Sequence, residues 1–259
     1  MPGTDGPFWS RRLSMAAAVA VGLASAGVGA GTALAAGQAS SQGSGRLDRA
    51  QIETIVREYI LSHPEIIPEA VARLEQAEAR KILAANRTAI ETPFPGAAAG
   101  NPGGDVKLVV FFDYACPYCR QGHADVQKLV REDPKLMVIY RDFPVLSPAS
   151  TEAALASLSA ATQGGYGKFH NAMFDSPGRV SAARTMGIVK GVGLSEERTT
   201  ADLTSAALKA EVNRNLELGR NLGLTGTPSY IIGNRILSGA VGFDRLKEAV
   251  AAARAEKGR

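Results

Sequence analysis

The sequence predicts an α/β fold in which a block of helices interrupts the sheet and a helical segment precedes it. β-Branched and aromatic residues fill two short runs, 107–112 and 136–141, and a helical pattern lies between them. This arrangement predicts a parallel β-α-β unit. The stretch 147–223 has helical spacing without a convincing strand, and a hairpin and a last helix follow it. A composition of 45% apolar and 21% charged residues over 259 residues suits one globular core with an appendage.

The first 35 residues are interpreted as a targeting segment. Ser10-Arg11-Arg12 precedes an uncharged run from Met15 to Leu34, and Ala33-Leu34-Ala35 is typical of a signal-peptidase site. The arginine pair leaves both the Sec and the twin-arginine route open, and an uncleaved membrane anchor is the alternative. We expect a cleaved signal peptide at 1–35 and a periplasmic protein, in a compartment where disulfides persist. A Ser/Gly/Gln-rich linker is expected at 36–46.

The segment 47–91 is predicted to form two amphipathic helices. Apolar residues recur at helical spacing from Ile52 to Ile60, and His63-Pro64 interrupts the pattern before a second helix that runs to about Ile90. Two such helices cannot bury both apolar stripes on each other. They therefore pack either on the main domain or on copies from other chains, and we expect the second, a homo-oligomer through residues 47–91.

The remaining elements have local signals of their own. Turn residues from Thr92 to Gly104 predict a connector with room for a short edge strand. Ser147-Pro148 predicts the start of the first inserted helix, because serine caps a helix and proline suits its first position. Another inserted helix is predicted from about Ala201 to Leu222. The closing elements are two strands and a helix, at 229–232, 235–238 and Phe243 to about Ala253.

Both cysteines of the chain lie where the strand at 107–112 gives way to a helix. Pro117 suits a first helical position, which predicts that Cys116 lies near free backbone N–H groups and the positive end of the helix dipole. These features stabilise a thiolate and lower the pKa of a cysteine. Cys119, one turn into the helix, is placed to attack a mixed disulfide formed at Cys116. The pair therefore predicts a redox site.

Other chemistry for this pair has weaker support. A structural disulfide between residues so close together closes too small a ring to stabilise much. A zinc site formed by Cys116, Cys119 and His123 lacks the second Cys-x-x-Cys of a zinc ribbon, and c-type haem attachment needs a histidine where Arg120 stands. Cu(I) binding by the two soft sulfurs stays open as an alternative function. We interpret His123 as a surface residue of the helix.

Several further residues are given structural interpretations. Asp113 is expected to be a turn residue whose side chain holds the local backbone. The net charge of +4 comes from scattered basic residues, which argues against nucleic acid as a partner. No phosphate-cradling glycine motif follows a strand, so no organic cofactor is expected. Residues interpreted as the core of the inserted helices are Tyr166, Phe169, His170, Met173 and Phe174.

The order of the elements, together with two motifs, resembles the DsbA family of periplasmic disulfide oxidoreductases, which have a thioredoxin-like fold with a helical insertion. The motifs are Phe-Phe-Asp-Tyr-Ala-Cys-Pro-Tyr-Cys at 111–119 and Gly-Thr-Pro-Ser-Tyr at 226–230. The N-terminal helices resemble those of the ScsC-like branch, whose members can oligomerise through them. The resemblance extends from about Leu47 to the C-terminus.

This resemblance implies roles for individual residues. Cys116 is the exposed nucleophile and Cys119 the resolving cysteine. Pro228 is cis and faces the cysteines, and Thr227 offers backbone hydrogen bonds to an extended substrate peptide. Pro117 and Tyr118 are expected to contact the same substrate. The implied partners are thiol-containing exported proteins and a membrane or thioredoxin-like redox partner, while the direction of the reaction (oxidase, reductase or isomerase) stays open.

Overall fold

Residues 47–258 are described by a computed structural model of the chain. The expected signal peptide at 1–35 and linker at 36–46 lie outside this range. The described chain divides into two units between Thr54 and Ile55, a boundary that falls within the first helix. The elements of the described part are α1 (Arg49–Ser62), α2 (Ile66–Ala85), α3 (Arg87–Glu91), β1 (Ala98–Gly100), β2 (Val106–Phe112), α4 (Pro117–Glu132), β3 (Leu136–Asp142), α5 (Pro148–Thr162), α6 (Tyr166–Asp175), α7 (Ala182–Gly191), α8 (Glu196–Asp202), α9 (Ala206–Asn221), β4 (Ser229–Ile232), β5 (Arg235–Ser238) and α10 (Phe243–Lys257).

The five strands form one mixed sheet in the order β1-β3-β2-β4-β5. β2 and β3 pair in parallel, with Phe112 opposite Asp142, and α4 is the crossover between them. The predicted parallel β-α-β unit is therefore confirmed. β4 pairs antiparallel with the other side of β2, and β5 completes the predicted hairpin. The short edge strand allowed for in the connector is β1, antiparallel to β3.

Helices cover both faces of the sheet, as the nearly continuous apolar runs of its central strands require. Alternate residues of a strand point to opposite faces. Leu108, Val110 and Phe112 of β2 join one core cluster with residues of α4, α6 and α10. Val109 and Phe111 join a second cluster on the other face, with residues of α9 and of the end of α2 and α3.

The block α5–α9 lies between β3 and β4 in the chain, as predicted for the helical insertion. Its central helix α5 packs against α6, α7, α8 and α9, and the Ser147 side chain accepts a hydrogen bond from the Ser150 N–H at its start. The helix predicted from Ala201 to Leu222 is wrong at its start, because α8 ends at Asp202. Ser205 then caps a new helix by accepting a hydrogen bond from the Leu208 N–H.

The second N-terminal helix is shorter than predicted. α2 ends at Ala85 rather than near Ile90, because Asn86 leaves the helical conformation and its side-chain amide donates to the Ile82 carbonyl. The chain then turns into α3, where Arg87 donates to the Gly233 carbonyl and to the Asn234 side chain at the tip of the hairpin. These contacts fix the end of α2 to the edge of the domain.

Most of the apolar stripe on the N-terminal helices is uncovered. Leu83 is the buried residue of α2, whereas Ile67, Val71 and Leu74 are 50%, 49% and 62% exposed. Ile55, Val56, Tyr59 and Leu61 of α1 are equally exposed. Within residues 47–258, no helix has the length and apolarity needed to cross a membrane.

A buried arginine ties three parts of the domain together. Arg141 of β3 is 5% exposed and pairs with Glu211 and Asn215 of α9. It also donates to the carbonyls of Ala89 and Thr92, where the chain leaves α3. A guanidinium group has five N–H donors in a fixed plane, and this geometry lets one side chain hold several acceptors at once.

Candidate active site

The first cysteine caps the helix that follows β2. Cys116 is the N-cap residue of α4, with extended backbone angles (φ −81°, ψ 119°), and Pro117 occupies the next position, where no N–H is needed. The backbone N–H groups of Cys119 and Arg120 donate to the Cys116 carbonyl at 3.2 and 3.3 Å. The strand-to-helix junction thus places Cys116 at the positive end of α4, as predicted.

Hydrogen bonds favour the thiolate of Cys116. The largest contribution comes from the thiol of Cys119, and the Thr227 side chain and the backbone N–H groups of Cys119 and Tyr118 add to it. Burial of the sulfur acts in the opposite direction. Together these contributions lower the pKa of Cys116 to about 5. At neutral pH Cys116 is therefore a thiolate, the nucleophilic form of cysteine.

Cys119 has the opposite electrostatic character. Burial raises the pKa of its thiol far above the ordinary range, and the adjacent Cys116 sulfur raises it further. Both cysteines are unbonded, so the structure shows the dithiol state. The single negative charge of this state resides on Cys116.

The chain segment opposite Cys116 contains the proline singled out by the resemblance. The Thr227–Pro228 peptide bond is cis, as the resemblance implied. In its thiol form Cys116 donates to the Thr227 carbonyl at 3.2 Å. Antiparallel pairing of β4 with β2, which places Ser229 opposite Phe111, brings this segment against the cysteine turn.

Cys116 lines an open cleft of about 680 Å³, and Cys119 does not. The cleft is bounded by the cysteine turn, by residues 146–149 and by residues 178–180. The resemblance implied an exposed nucleophile, but Cys116 is only 5% exposed, since the surrounding loops cover all but its side toward the cleft. Tyr118 is the exposed residue of the motif, at 63%.

Asp113 organises the loops around the cleft. One carboxylate oxygen accepts a hydrogen bond from the Ala115 N–H at 2.8 Å. The other accepts from the N–H groups of Val145 and Leu146 at 2.9 and 3.0 Å. The carboxylate therefore joins the cysteine turn to the loop before α5, which agrees with its interpretation as a residue that holds the backbone.

The interpretation of His123 as a surface residue is wrong. The residue is 7% exposed and stacks against Phe174, because α6 of the insertion covers this side of α4. The sequence contains a signal that would have found it, since Cys119, Val126 and Leu129 recur at helical spacing and position 123 falls on the same face. The residues expected to form the core of the inserted helices are all buried, namely Tyr166, Phe169, His170, Met173 and Phe174.

Two buried polar residues near the site were not anticipated. Arg141 and Asp142 lie at the end of β3, where the sequence shows only a strand. Asp142 is 1% exposed and accepts a hydrogen bond from Ser157 at 2.8 Å, while its second oxygen has no partner among the described residues. Burial raises the pKa of this carboxyl to about 8.

The zinc site considered for Cys116, Cys119 and His123 is not supported. Among residues 47–258, no three side chains of His, Cys, Asp or Glu are grouped so that they can hold a metal ion. Two-sulfur coordination of a soft ion such as Cu(I) does not require such a group.

A cysteine pair that opens a helix opposite a cis proline, on this mixed sheet, defines a thioredoxin-like protein. Residues 107–251 match the family described as DSBA-like thioredoxin domain, and residues 48–81 match the N-terminal domain of copper resistance protein ScsC. The chain belongs to the DsbA-like thioredoxin family and carries an ScsC-type N-terminal domain. The fold class and the family expected from the sequence are both confirmed.

Solved structures agree with this assignment. A linker-deletion variant of ScsC from Proteus mirabilis is 30% identical, with a TM-score of 0.65, over 81% of this chain and 98% of that chain. A thioredoxin-like oxidoreductase from Silicibacter pomeroyi is 39% identical, with a TM-score of 0.59, over 61% and 91%. A thiol-disulfide exchange protein from Wolbachia pipientis is 27% identical, with a TM-score of 0.63, over 69% and 97%.

The curated relatives are longer proteins. The chain is 25% identical over 150 residues to a protein named Na(+)/H(+) antiporter NhaA 1 from Salinispora arenicola. That match covers 57% of this chain and 23% of the relative. The chain thus spans about a quarter of the length of the curated relatives that it matches.

We predict that alkylation of Cys116 reports its lowered pKa. The rate of reaction with iodoacetamide follows the thiolate fraction, so in the folded reduced protein it should reach half its maximum near pH 5. Cys119→Ala removes the largest stabilising hydrogen bond and should move this midpoint toward the ordinary value of about 8.5. The same protein unfolded in urea serves as the control. A midpoint near 8.5 in the folded protein would contradict the prediction.

We predict that Asp142 makes stability depend on pH. The pKa of its carboxyl is about 8 when folded, above the unfolded value of about 3.9, so the stability that it contributes is complete below pH 4 and is lost as pH rises through 8. Asp142→Asn stays neutral throughout. The variant should match the wild type near pH 4 and exceed its free energy of unfolding by roughly 1–4 kcal/mol at pH 9. Urea unfolding at both pH values measures this, and a pH-independent difference would refute it.

Proposed function

We propose that the protein is an exported thiol–disulfide oxidoreductase that acts on other proteins through Cys116 and Cys119. The observation that carries the proposal is the difference between the two sulfurs in pKa and in access to the cleft. Cys116 has a lowered pKa and lines an open cleft, whereas Cys119 is a buried thiol with a raised pKa one turn behind it. Disulfide exchange requires this pairing of an accessible nucleophile with a protected resolving thiol.

The chemistry follows from the two sulfurs. When the pair is oxidised, a substrate thiolate attacks the Cys116 sulfur, the Cys116–Cys119 bond breaks, and Cys119 leaves with the electron pair and takes up a proton. A second substrate thiolate then attacks the substrate sulfur of the mixed disulfide, and Cys116 leaves as a thiolate. The substrate gains a disulfide and the enzyme gains two electrons. Because a cysteine with a pKa of about 5 is a good leaving group, the structure favours this direction.

The substrate contacts are proposed on the same geometry. Thr227 lies two residues before β4 with its carbonyl against the Cys116 sulfur, and we propose that an extended peptide adds to the backbone groups there. Pro117 presents rigid apolar surface next to Cys116, and the exposed ring of Tyr118 offers a further contact. Pro228 is buried, so we propose that it acts on the substrate by fixing the backbone of Thr227. A site built from backbone groups and a few apolar side chains suits unfolded chains of varied sequence.

Export and partners belong to the same proposal. The N-terminal 35 residues have the pattern of a signal peptide. Disulfides form and persist in the periplasm, so a redox-active cysteine pair would have substrates there. We propose thiol-containing exported proteins as substrates and a membrane or thioredoxin-like protein as redox partner. The similarity to a thiol-disulfide exchange protein from Wolbachia pipientis supports the reaction class.

Self-association through the N-terminal helices is proposed from their uncovered apolar faces. Ile67, Val71 and Leu74 of α2 form a stripe at helical spacing that nothing in the described chain covers. A helix pair with such a stripe gains stability when copies bury it against each other.

We predict that Leu74→Glu weakens self-association. The added charge lies in the apolar stripe and would have to be buried, so the variant should shift toward monomer in light scattering after gel filtration. Gln76→Glu adds the same charge two residues away on another side of α2 and serves as the matched control. Equal masses for both variants and the wild type would contradict the proposed interface.

A second candidate function is copper handling. The N-terminal match carries the description of a copper resistance protein, and two adjacent sulfurs are soft ligands for Cu(I). Stoichiometric Cu(I) binding by the reduced protein that survives a competing chelator would favour this candidate.

The reduction potential of the Cys116–Cys119 pair tests the main proposal. Because the thiolate stabilises the dithiol form, equilibration with glutathione should give a value nearer the roughly −120 mV of strong oxidants than the roughly −270 mV of thioredoxin. A reduction potential near the thioredoxin value would instead indicate a reductase or an isomerase. The variant Cys116→Ala cannot form the internal disulfide. It therefore serves as the control for reactions of Cys119 alone with glutathione. The absence of any reversible couple in the wild type would contradict the proposal.

A further inference from the structure

A buried histidine without a complete set of partners lies behind the cysteine pair. His123 of α4 is 7% exposed, and its Nδ1 has no hydrogen-bond partner among residues 47–258. Buried polar atoms in folded proteins are nearly always hydrogen-bonded, so an orphaned ring nitrogen requires an explanation. The reaction proposed above does not use this residue.

His123 and Cys119 share a small internal cavity. The two residues are four apart on α4 and so lie on one face of the helix. Both line a cavity of about 10 Å³, which is enough for about one water molecule. Tyr230 of β4 also lines it, and a water there would have the thiol, the imidazole and the phenol as polar partners. Cys116 is not part of this lining.

The other side of the imidazole reaches toward solvent. Nε2 of His123 lies 3.8 Å from a carboxylate oxygen of Asp175, whose side chain is 72% exposed. The histidine therefore spans the distance between the internal cavity and the protein surface. Other titratable or charged groups that face it are Arg120 and Cys119 of its own helix, His170 of α6, Tyr140 of β3 and Tyr230 of β4.

We propose that His123 relays the proton of Cys119 between the internal cavity and solvent, through one water on the inner side and Asp175 on the outer side. This inference rests on the proposed disulfide exchange and concerns its resolving step. A buried thiol has no direct contact with bulk water, so its proton needs a path whenever the sulfur becomes a nucleophile or a leaving group.

The step balances as follows. In a mixed disulfide at Cys116, the Cys119 thiol gives its proton through the water to the imidazole. The Cys119 electron pair forms the bond to the Cys116 sulfur, the bond from Cys116 to the substrate sulfur breaks, and the substrate leaves as a thiolate. The imidazolium releases a proton from its other nitrogen to Asp175 and solvent. In the opposite direction the same path delivers a proton to the departing Cys119.

The protonation states agree with this role. Burial lowers the pKa of His123 more than Asp175 raises it, so the ring is neutral at pH 7 and has a nitrogen free to accept a proton. The hydrogen bond and the charge of the Cys116 sulfur are among the causes that raise the pKa of Cys119. The charge is lost once Cys116 is in a mixed disulfide, which brings the thiol closer to the imidazole in acidity.

The test follows both sulfurs in one assay. Reduced protein is mixed with 5,5′-dithiobis(2-nitrobenzoate), which releases one coloured thiolate when Cys116 attacks and a second when Cys119 resolves the mixed disulfide. In the wild type we expect the second phase to be independent of pH around pH 7, because the lowered pKa of His123 keeps the ring neutral there. In His123→Gln we expect it to be at least tenfold slower at pH 7 and to rise about tenfold per pH unit, because only hydroxide then removes the proton. The first phase should change less than twofold.

A second variant tests the same relay without a substitution in the core. Asp175 is exposed, so Asp175→Asn should fold normally and slow the second phase at least threefold at pH 7. Asp244→Asn, at another exposed carboxylate, is the matched control and should leave both phases unchanged. A second phase in His123→Gln with the wild-type rate and pH profile would overturn the inference. If His123→Gln does not fold, equal second-phase rates for Asp175→Asn and Asp244→Asn would overturn it. A wild type that releases only one thiolate per protein would instead overturn the proposed function, because Cys119 would then fail to resolve the mixed disulfide.

Discussion

The antiparallel pairing of β2 with β4 is the constraint on which the site depends. Cys116 and Thr227 are 111 residues apart in the chain, yet the sulfur lies 3.2 Å from the Thr227 carbonyl. β2 runs into the cysteine turn and β4 begins directly after Pro228, so one ladder positions both walls of the site. Both strands are fully buried along this ladder apart from Lys107, which shields its hydrogen bonds from water. The inserted helices add to the cleft, but they do not position the two sulfurs.

The two cysteines are three residues apart, and their thiols have pKa values shifted in opposite directions. The start of α4 leaves N–H groups free for Cys116, and the helix dipole adds to their effect. One turn later Cys119 is buried among packed side chains beside the small cavity that it shares with His123, and burial dominates the pKa of its thiol. Since each sulfur stabilises the other's protonation state, neither pKa belongs to one residue alone. The roles that we propose for the two cysteines, nucleophile and resolving thiol, follow from their positions on the helix rather than from residue type.

Local signals in the sequence predicted most of the fold and the cysteine pair. Strand 107–112, the hairpin at 229–238 and the cap at Ser147 depend on short runs of residues, and the structure has each of them. The burial of His123 depends on α6, which packs against it, and the direction of the chain after Asn86 depends on the contacts of Arg87 with the hairpin tip. The partners of Arg141 come from α3 and α9, more than 45 residues away in either direction. No local pattern encodes such partners, because they exist only after the sheet has brought distant segments together.

Self-association through the N-terminal helices, as proposed above, would affect a different part of the cycle from the cysteine pair. A stabilised thiolate at Cys116 sets the equilibrium between the pair and its substrates. The thiolate does not determine how fast a partner reoxidises the dithiol, because reoxidation requires that the partner reach the cleft.

The end of α2 is fixed to the hairpin through Leu83 and Arg87, and Ile67 lies about 24 Å further along the helix. Copies joined through that stripe would hold their clefts at a distance set by a helix rather than by a flexible tether. Large partners would then be excluded more strongly than extended substrate peptides. Reoxidation would slow while substrate exchange continued, so an association of this kind would shift an intrinsic disulfide donor toward rearranging disulfides.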